Sequence, residues 1–364
     1  MKNNTIYLDR ISNTAIFMSI VVIFFLKIAL YFLLKNQVLN IGIGGGNDSD
    51  YYNAYAKGFT DVAVNVWPVI LKFLNDIGLY SRDGISYLFL FLNLLVIPHV
   101  IAHLSGLSFK DNQKYYLYSF LICLIYPTLF FYTLDVYRDL FMVVVFIVGC
   151  FFVKKFVNSS NLVFSLLFFF ISILIGFFLS ALRPYLGYTF LISIFLWKIK
   201  FTKKRLFVFL ILYFIALFTA NYLGLFSVLT EYRTGFEKME GGSNLGLDFS
   251  NPVMFIPNFI LSILGQLLGL YITNPLSIIL LLIETLPFLL MLIYIIRNIG
   301  LADNFVRFLI IFFVLYASVW LIGNDNLGTA VRLRMCNYIA IYISFFYILR
   351  LKKLSLQNEQ AVNK

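Results

Sequence analysis

The sequence predicts an all-α fold, a polytopic transmembrane helical bundle of about ten spans with interfacial helices on its outer side. Three observations predict it. Apolar residues make up 61% of the 364-residue chain and charged residues only 12%, with a mean hydropathy of +0.90. No soluble domain of that length has enough interior to hide so much apolar surface. The apolar residues recur in runs of roughly 20, the length that crosses a bilayer as a helix. These runs are too long for barrel strands and lack the alternation that such strands need.

In chain order, the first span is 14–34, which no small-residue cleavage site follows and which reads as a retained anchor. Residues 35–84 form the first outer loop. Within it, 62–77 places Val62, Val66, Val69, Ile70, Phe73, Leu74 and Ile77 on one helical face, with Asn65, Lys72, Asn75 and Asp76 opposite. With Trp67 among them, this predicts an amphipathic helix on the outer leaflet. Spans follow at 85–104, 115–134, 140–153, 162–182, 185–197 and 206–226. Residues 227–275 read as an outer flap loop leading into the run 253–273. Pro257, Gly265, Gln266 and Gly269 make that run a poor lipid-facing span, so it is expected at the interface or as a re-entrant segment. Spans at 276–296, 305–322 and 336–349 complete a single integral membrane domain over 1–364.

The formal net charge of +11 would suggest a nucleic-acid partner if it were clustered on a soluble face. Its placement says otherwise. With the N-terminus inside, the cytoplasmic segments hold most of the Lys and Arg, including "KIKFTKKR" at 198–205, but only four acids: Asp9, Asp111, Asp303 and Glu359. Lys27 and Glu284 remain within spans. The charge is therefore an orientation signal, with both termini cytoplasmic and no nucleic acid implied. Cys123, Cys150 and Cys336 all sit in apolar runs, which argues against a disulfide framework or a zinc site. His99 and His103, spaced four apart, lack a partner carboxylate and read as an interfacial pair near the cytoplasmic end of the second span. No metal site and no cofactor is expected.

Length singles out three outer tips. Sixteen residues separate Arg138 from Lys154 and Arg334 from Arg350, and fifteen separate Arg183 from Lys198. Sixteen residues make about 24 Å of helix against a hydrocarbon core of about 30 Å. If the inner ends are pinned at the cytoplasmic surface, the tips "LDVYRD", "ALRPY" and "GNDNLGTAVRLR" lie below the outer one. Each contains arginine, and a charge at bilayer depth costs at least about 2.5 kcal/mol. The expectation is a water-filled vestibule open to the outside with an arginine floor. Snorkelling helix ends are the plainer account of any one tip alone. Guanidinium forks grip phosphate in two places, so Arg138, Arg183, Arg332 and Arg334 are the candidate anion ligands. Arg233, in the flap segment "EYRTGFEKMEGGSNLG", is a fifth.

No histidine is left outside, so a general base there is a carboxylate: Asp48, Asp50, Asp135, Asp139 or Glu231. Asp48 and Asp50 form a D-x-D in "GGGNDSDYYNAYAKG", a pattern of low specificity. Tyr52, Tyr137 and Tyr185 fit either sugar stacking or an interfacial aromatic belt. Carboxylates and arginines in an outward cavity suit glycosyl transfer from a lipid diphosphate, the arginines stabilising the departing diphosphate.

"DSDYYNAYA", "YPTLFFYTLDVYRD", "LRPYLG", the flap loop and above all "NDNLGTAVRLR" together resemble Wzy-type O-antigen polymerases. The resemblance runs in patches over most of the chain, and Gly328, Thr329, Ala330 and Arg332 are its most specific part. It implies a GT-C-like glycosyltransferase of the bacterial inner membrane, its active site facing the periplasm. Such an enzyme joins undecaprenyl-diphosphate-linked oligosaccharide repeat units into surface polysaccharide. The partners implied are that lipid-linked oligosaccharide, membrane lipid and a chain-length regulator protein. Two rival readings stand beside it. One is a GT-C transferase adding a single sugar from a polyprenyl monophosphate, and the other is a lipid-linked oligosaccharide flippase.

Overall fold

A computed structural model describes residues 11–39, 46–237, 243–272 and 274–362. Among these the secondary structure is helical, apart from one bridge pair between Asn244 and Asn326. Seven of the described helices are long and apolar enough to cross a membrane, so the protein is a membrane-embedded helical bundle. The glycine-rich centre of the expected flap, 238–242, falls outside the described residues.

Helix α1 (Asn13–Lys35) starts at Ser12, whose side chain accepts the Ala15 N–H. Two short helices follow, α2 (Gly46–Ala56) and α3 (Val66–Asp76), packed on each other. Helix α3 begins four residues later than the periodicity suggests, because the Asn65 side chain caps it by accepting the Trp67 N–H. Trp67 and Leu71 face inward, while Val69, Phe73 and Ile77 of the predicted apolar face stay exposed, as a helix lying against lipid requires.

Helix α4 (Arg82–Leu104) matches its predicted span. The span expected at 115–134 is instead broken into α5 (Gln113–Ile125) and α6 (Pro127–Phe131). Pro127 has no N–H to continue the helix, and it pushes Tyr126 to ψ 105°. Helices α7 (Arg138–Asn158), α8 (Leu162–Leu182) and α9 (Pro184–Leu196) then pack in antiparallel sequence. Without a hydrophobic force between helices in lipid, such contacts depend on close backbone approach. A Cβ on Gly187 would lie 2.1 Å from the Ser180 nitrogen, so only glycine permits the α8–α9 crossing.

Helix α10 (Lys203–Tyr222) is largely unpacked, with Phe207, Leu212 and Ile215 exposed as lipid-facing residues are. The short helix α11 (Ser227–Glu237) leads to α12 (Pro252–Leu267), α13 (Pro275–Arg297) and α14 (Asn304–Gly323). Within the ambiguous run, α12 keeps to the C-terminal end of α14. The Ser262 hydroxyl donates to the Leu321 carbonyl (2.7 Å) and the Gln266 amide to that of Asn324 (2.8 Å).

Helix α15 (Leu327–Val362) is the axis of the bundle. Residues 338–343 are at most 2% exposed, walled by α14, α13, α4 and α7. Its Asn337 ties it to α14, accepting the Trp320 indole N–H (2.9 Å) and donating to the Phe313 carbonyl (2.9 Å).

The length argument is corrected here for two of the three tips. Helix α7 continues four residues past Lys154, and α15 runs twelve past Arg350. Neither basic residue marks the end of its helix, so the count of residues to it does not measure the helix. Lys154 donates to the His103 and Leu104 carbonyls in the last turn of α4 (3.1 and 2.9 Å), and Arg350 to that of Gly106 in the turn just beyond it (3.1 Å). Only α9, at 13 residues, is as short as expected.

Candidate functional site

Four chain segments converge at the end of the bundle where α7, α9 and α15 begin. Helix α2 carries Asp48 in its first turn, where the helix dipole favours an acid. Two residues on a helix lie about 200° apart, so Asp48 and Asp50 diverge rather than act as a pair. Asp48 forms an ion pair with Arg332 of α15. Asp50 turns to Arg82 at the start of α4 (2.7 Å), whose guanidinium also grips both oxygens of Asp135 (2.7 and 2.5 Å). Burial alone would raise the Asp135 carboxyl, but Arg82 and the Val136 N–H hold it below the ordinary carboxylate value.

Arg332 donates from Nε to the Tyr132 hydroxyl (3.0 Å) and lies over that ring, 5.5 Å from its centroid. Tyr132 packs edge-on against Tyr137, with centroids 5.3 Å apart. Tyr137 immediately precedes Arg138 and Asp139, the first two residues of α7. Asp139 is buried and pairs with Arg183 at 3.4 Å, and its charge also reaches Arg332. Arg183 stands in the turn between α8 and α9, where Pro184 opens the next helix and holds the residue before it extended. Its guanidinium lies 5.8 Å from the centre of the Tyr185 ring, which in turn stacks on Tyr316. Arg138 donates to the Leu182 carbonyl (2.8 Å). Tyr52 is buried within electrostatic reach of Arg138, Asp139 and Asp48, and burial pushes its phenol up.

With Arg82, Asp50 and Asp135 the site holds four guanidinium groups and four carboxylates, yet its hydrogen bonds are not all made. Arg138, Arg183 and Arg332 face the carboxylates of Asp48 and Asp139, and Arg183 also reaches Tyr316, yet Arg138 Nε and Arg183 Nη1 are buried without a hydrogen-bond partner among the described residues. A buried donor left unmade costs about 1–3 kcal/mol, more when charged, so the nest is short of acceptor atoms. An anion placed there would supply them.

The remaining predicted residues are placed elsewhere. Arg233 of α11 is 2% exposed and spends its donors inside the protein. It reaches the carbonyls of Leu247 (2.9 Å), Leu321 (3.1 Å) and Asn324 (2.6 Å) and pairs with Asp325, which is also held by the Gly246 N–H (2.9 Å). This arrangement clamps α11 and the following loop to the end of α14, so Arg233 is corrected from an anion ligand to a structural residue. Glu231, two positions before it, is exposed and joins neither the nest nor the clamp. Arg334 points away from Arg332 to the far side of α15 and pairs with Glu284 of α13 (2.8 Å). Glu284 also accepts the N–H and hydroxyl of Thr128 (2.7 and 2.5 Å). Arg183, Arg233 and Arg334 are 6%, 2% and 2% exposed, so these three do not floor the open vestibule expected above.

Sequence reasoning missed Arg82, Tyr132 and Asp325 as partners. Asp325 carried a signal, since it lies inside the "NDNLGTAVRLR" segment. Arg82 carried none, its role arising only from where α2 folds. No protein-family model, curated protein or solved structure gives a significant match to the chain.

Proposed function

We propose that the protein joins lipid-diphosphate-linked oligosaccharide units into a surface polysaccharide, at the outer side of a bacterial inner membrane. The observation that carries this reading is the excess of guanidinium donors in the nest formed by Arg138, Arg183 and Arg332. In it the nest opens to admit the diphosphate of the donor lipid, which meets the unpartnered nitrogens of Arg138 and Arg183 and competes with Asp48 for Arg332. The anomeric carbon–oxygen bond to that diphosphate breaks while the acceptor sugar's hydroxyl oxygen bonds to the same carbon. The hydroxyl proton goes to a carboxylate, and the charge left on the diphosphate is held by the arginines.

Among the carboxylates, Asp48 is the best placed base. Its side chain is 46% exposed and lies beside Arg332, whereas Asp139 is buried against Arg183 and Asp50 is taken by Arg82. Displacement of Asp48 from Arg332 by the arriving diphosphate frees the carboxylate at the moment that it is needed.

Deleting the gene and running the surface polysaccharide on a gel tests the reading. Collapse of the ladder to a single-repeat rung is the expected result. Loss of that rung as well would place the protein earlier, as a single-sugar transferase or a flippase.

A further inference from the structure

At the opposite end of the bundle, the last turns of α4 and α7 and the first turns of α8 line an open cavity of about 640 Å³. Helix α7 spans 21 residues, about 31 Å of rise, between Arg138 and this cavity. One part of the wall is basic: Lys154, Lys155 and His103. The other is aromatic: Phe151, Phe164 and Phe168. The basic part is built into the fold. Lys154 is fixed by the His103 and Leu104 carbonyls, and Lys155 sits 5.6 Å over the Phe151 ring, on which His103 also stacks. The carboxylate whose charge reaches Lys154 is Asp303, already committed to capping α14 by accepting the Val306 N–H (2.9 Å). The N-terminal dipole of α8 adds to the positive field.

The aromatic part opens sideways. Phe164 is 54% exposed on α8, whose outer face is apolar along its length. A soluble phosphate has no use for that surface, but an acyl chain does. We propose that the cavity binds an anionic phospholipid of the adjoining leaflet, its phosphate held between Lys154 and Lys155 and its chains lying along Phe164 and Phe168. Basic pockets between membrane helices select headgroups in this way. The inference is independent of the glycosyl-transfer reading, because no residue of the nest takes part.

Native mass spectrometry of the full chain, released from detergent after incubation with phosphatidylglycerol or phosphatidylcholine, tests it. Retention of phosphatidylglycerol but not phosphatidylcholine is expected, undiminished by millimolar inorganic phosphate. Lys155→Gln, at an exposed position, should cut that retention about fivefold, the factor that one lysine near an anionic surface contributes. Lys154→Gln also uncaps α4, so the exposed variant carries the test. Equal retention of the two lipids, displacement by inorganic phosphate, or an unaltered Lys155→Gln would each overturn the proposal.

Discussion

The arginine nest and the Arg233 clamp are built from the same residue type at the same end of the molecule, yet they are opposite in chemistry. Around Arg233 the donors find backbone carbonyls and the buried Asp325, and the result is a closed knot between α11 and α14. Around Arg138 and Arg183 the acceptors run short, with Asp139 shared and two nitrogens left over. Buried arginine alone therefore does not mark a ligand site. What distinguishes the two is whether the protein itself completes the guanidinium's hydrogen bonds.

The comparison breaks first at the clamp. Asp325→Ala leaves Arg233 as an uncompensated buried charge and should lower stability by about 3–5 kcal/mol, read as a fall in thermal midpoint in detergent. Changing Arg233 to Met and Asp325 to Leu together should recover most of that loss. A clamp variant that melts like the parent would refute the structural assignment of Arg233.

In the nest the expected losses are of activity. Asp48→Asn should reduce polymer formation on the order of 100-fold, the lower range of general-base contributions, with the thermal midpoint unchanged. Asp50→Asn breaks only an exposed ion pair and should cost at most about fivefold. Equal effects of the two would end the assignment of Asp48 as base. Arg138→Lys and Arg183→Lys should each shorten the polysaccharide ladder through a loss of about tenfold, because lysine keeps the charge but not the fork. Normal chain lengths in both would remove the diphosphate from the nest.

The smallest effect concerns acid. The folded carboxyl of Asp135 lies below its ordinary value, so its contribution is present above the unfolded value of about 3.9 and is lost as pH falls through the folded one. With Arg82 one-third exposed, the pair should be worth no more than about 1 kcal/mol. The melting deficit of Arg82→Gln should accordingly shrink below about pH 4. A deficit that is constant with pH would place the effect of Arg82 elsewhere.

Much of this fold is legible in the sequence, and the part that is not has physical causes. Long apolar runs located α1, α4, α8, α13 and α14 to within a few residues, because bilayer thickness sets their length. Taking Lys154 and Arg350 as helix ends failed because both helices run on, the two side chains instead binding carbonyls at and just beyond the end of α4, a contact between elements far apart in sequence. The break at Pro127 was open to view in the residue itself, but hydropathy averaging hid it. In the nest, Asp48, Arg138, Asp139, Arg183 and Arg332 came together as their residue types suggested. The division of labour among arginines was hidden, because it depends on which carbonyls the folded chain leaves within reach.

Arg332 and Arg334 belong to one rigid 36-residue rod and point to opposite sides of it. A quarter-turn of that rod would pull each guanidinium from its own carboxylate at once, so neither contact can be tuned by rotation without disturbing the other. Inserting a single residue between Leu327 and Arg332 would act like a key cut one notch out of register. Every downstream side chain, Arg332 and Arg334 included, could keep its place in the bundle only if the extra residue were looped out before Arg332, at the cost of the turn that carries Asp325 to Arg233.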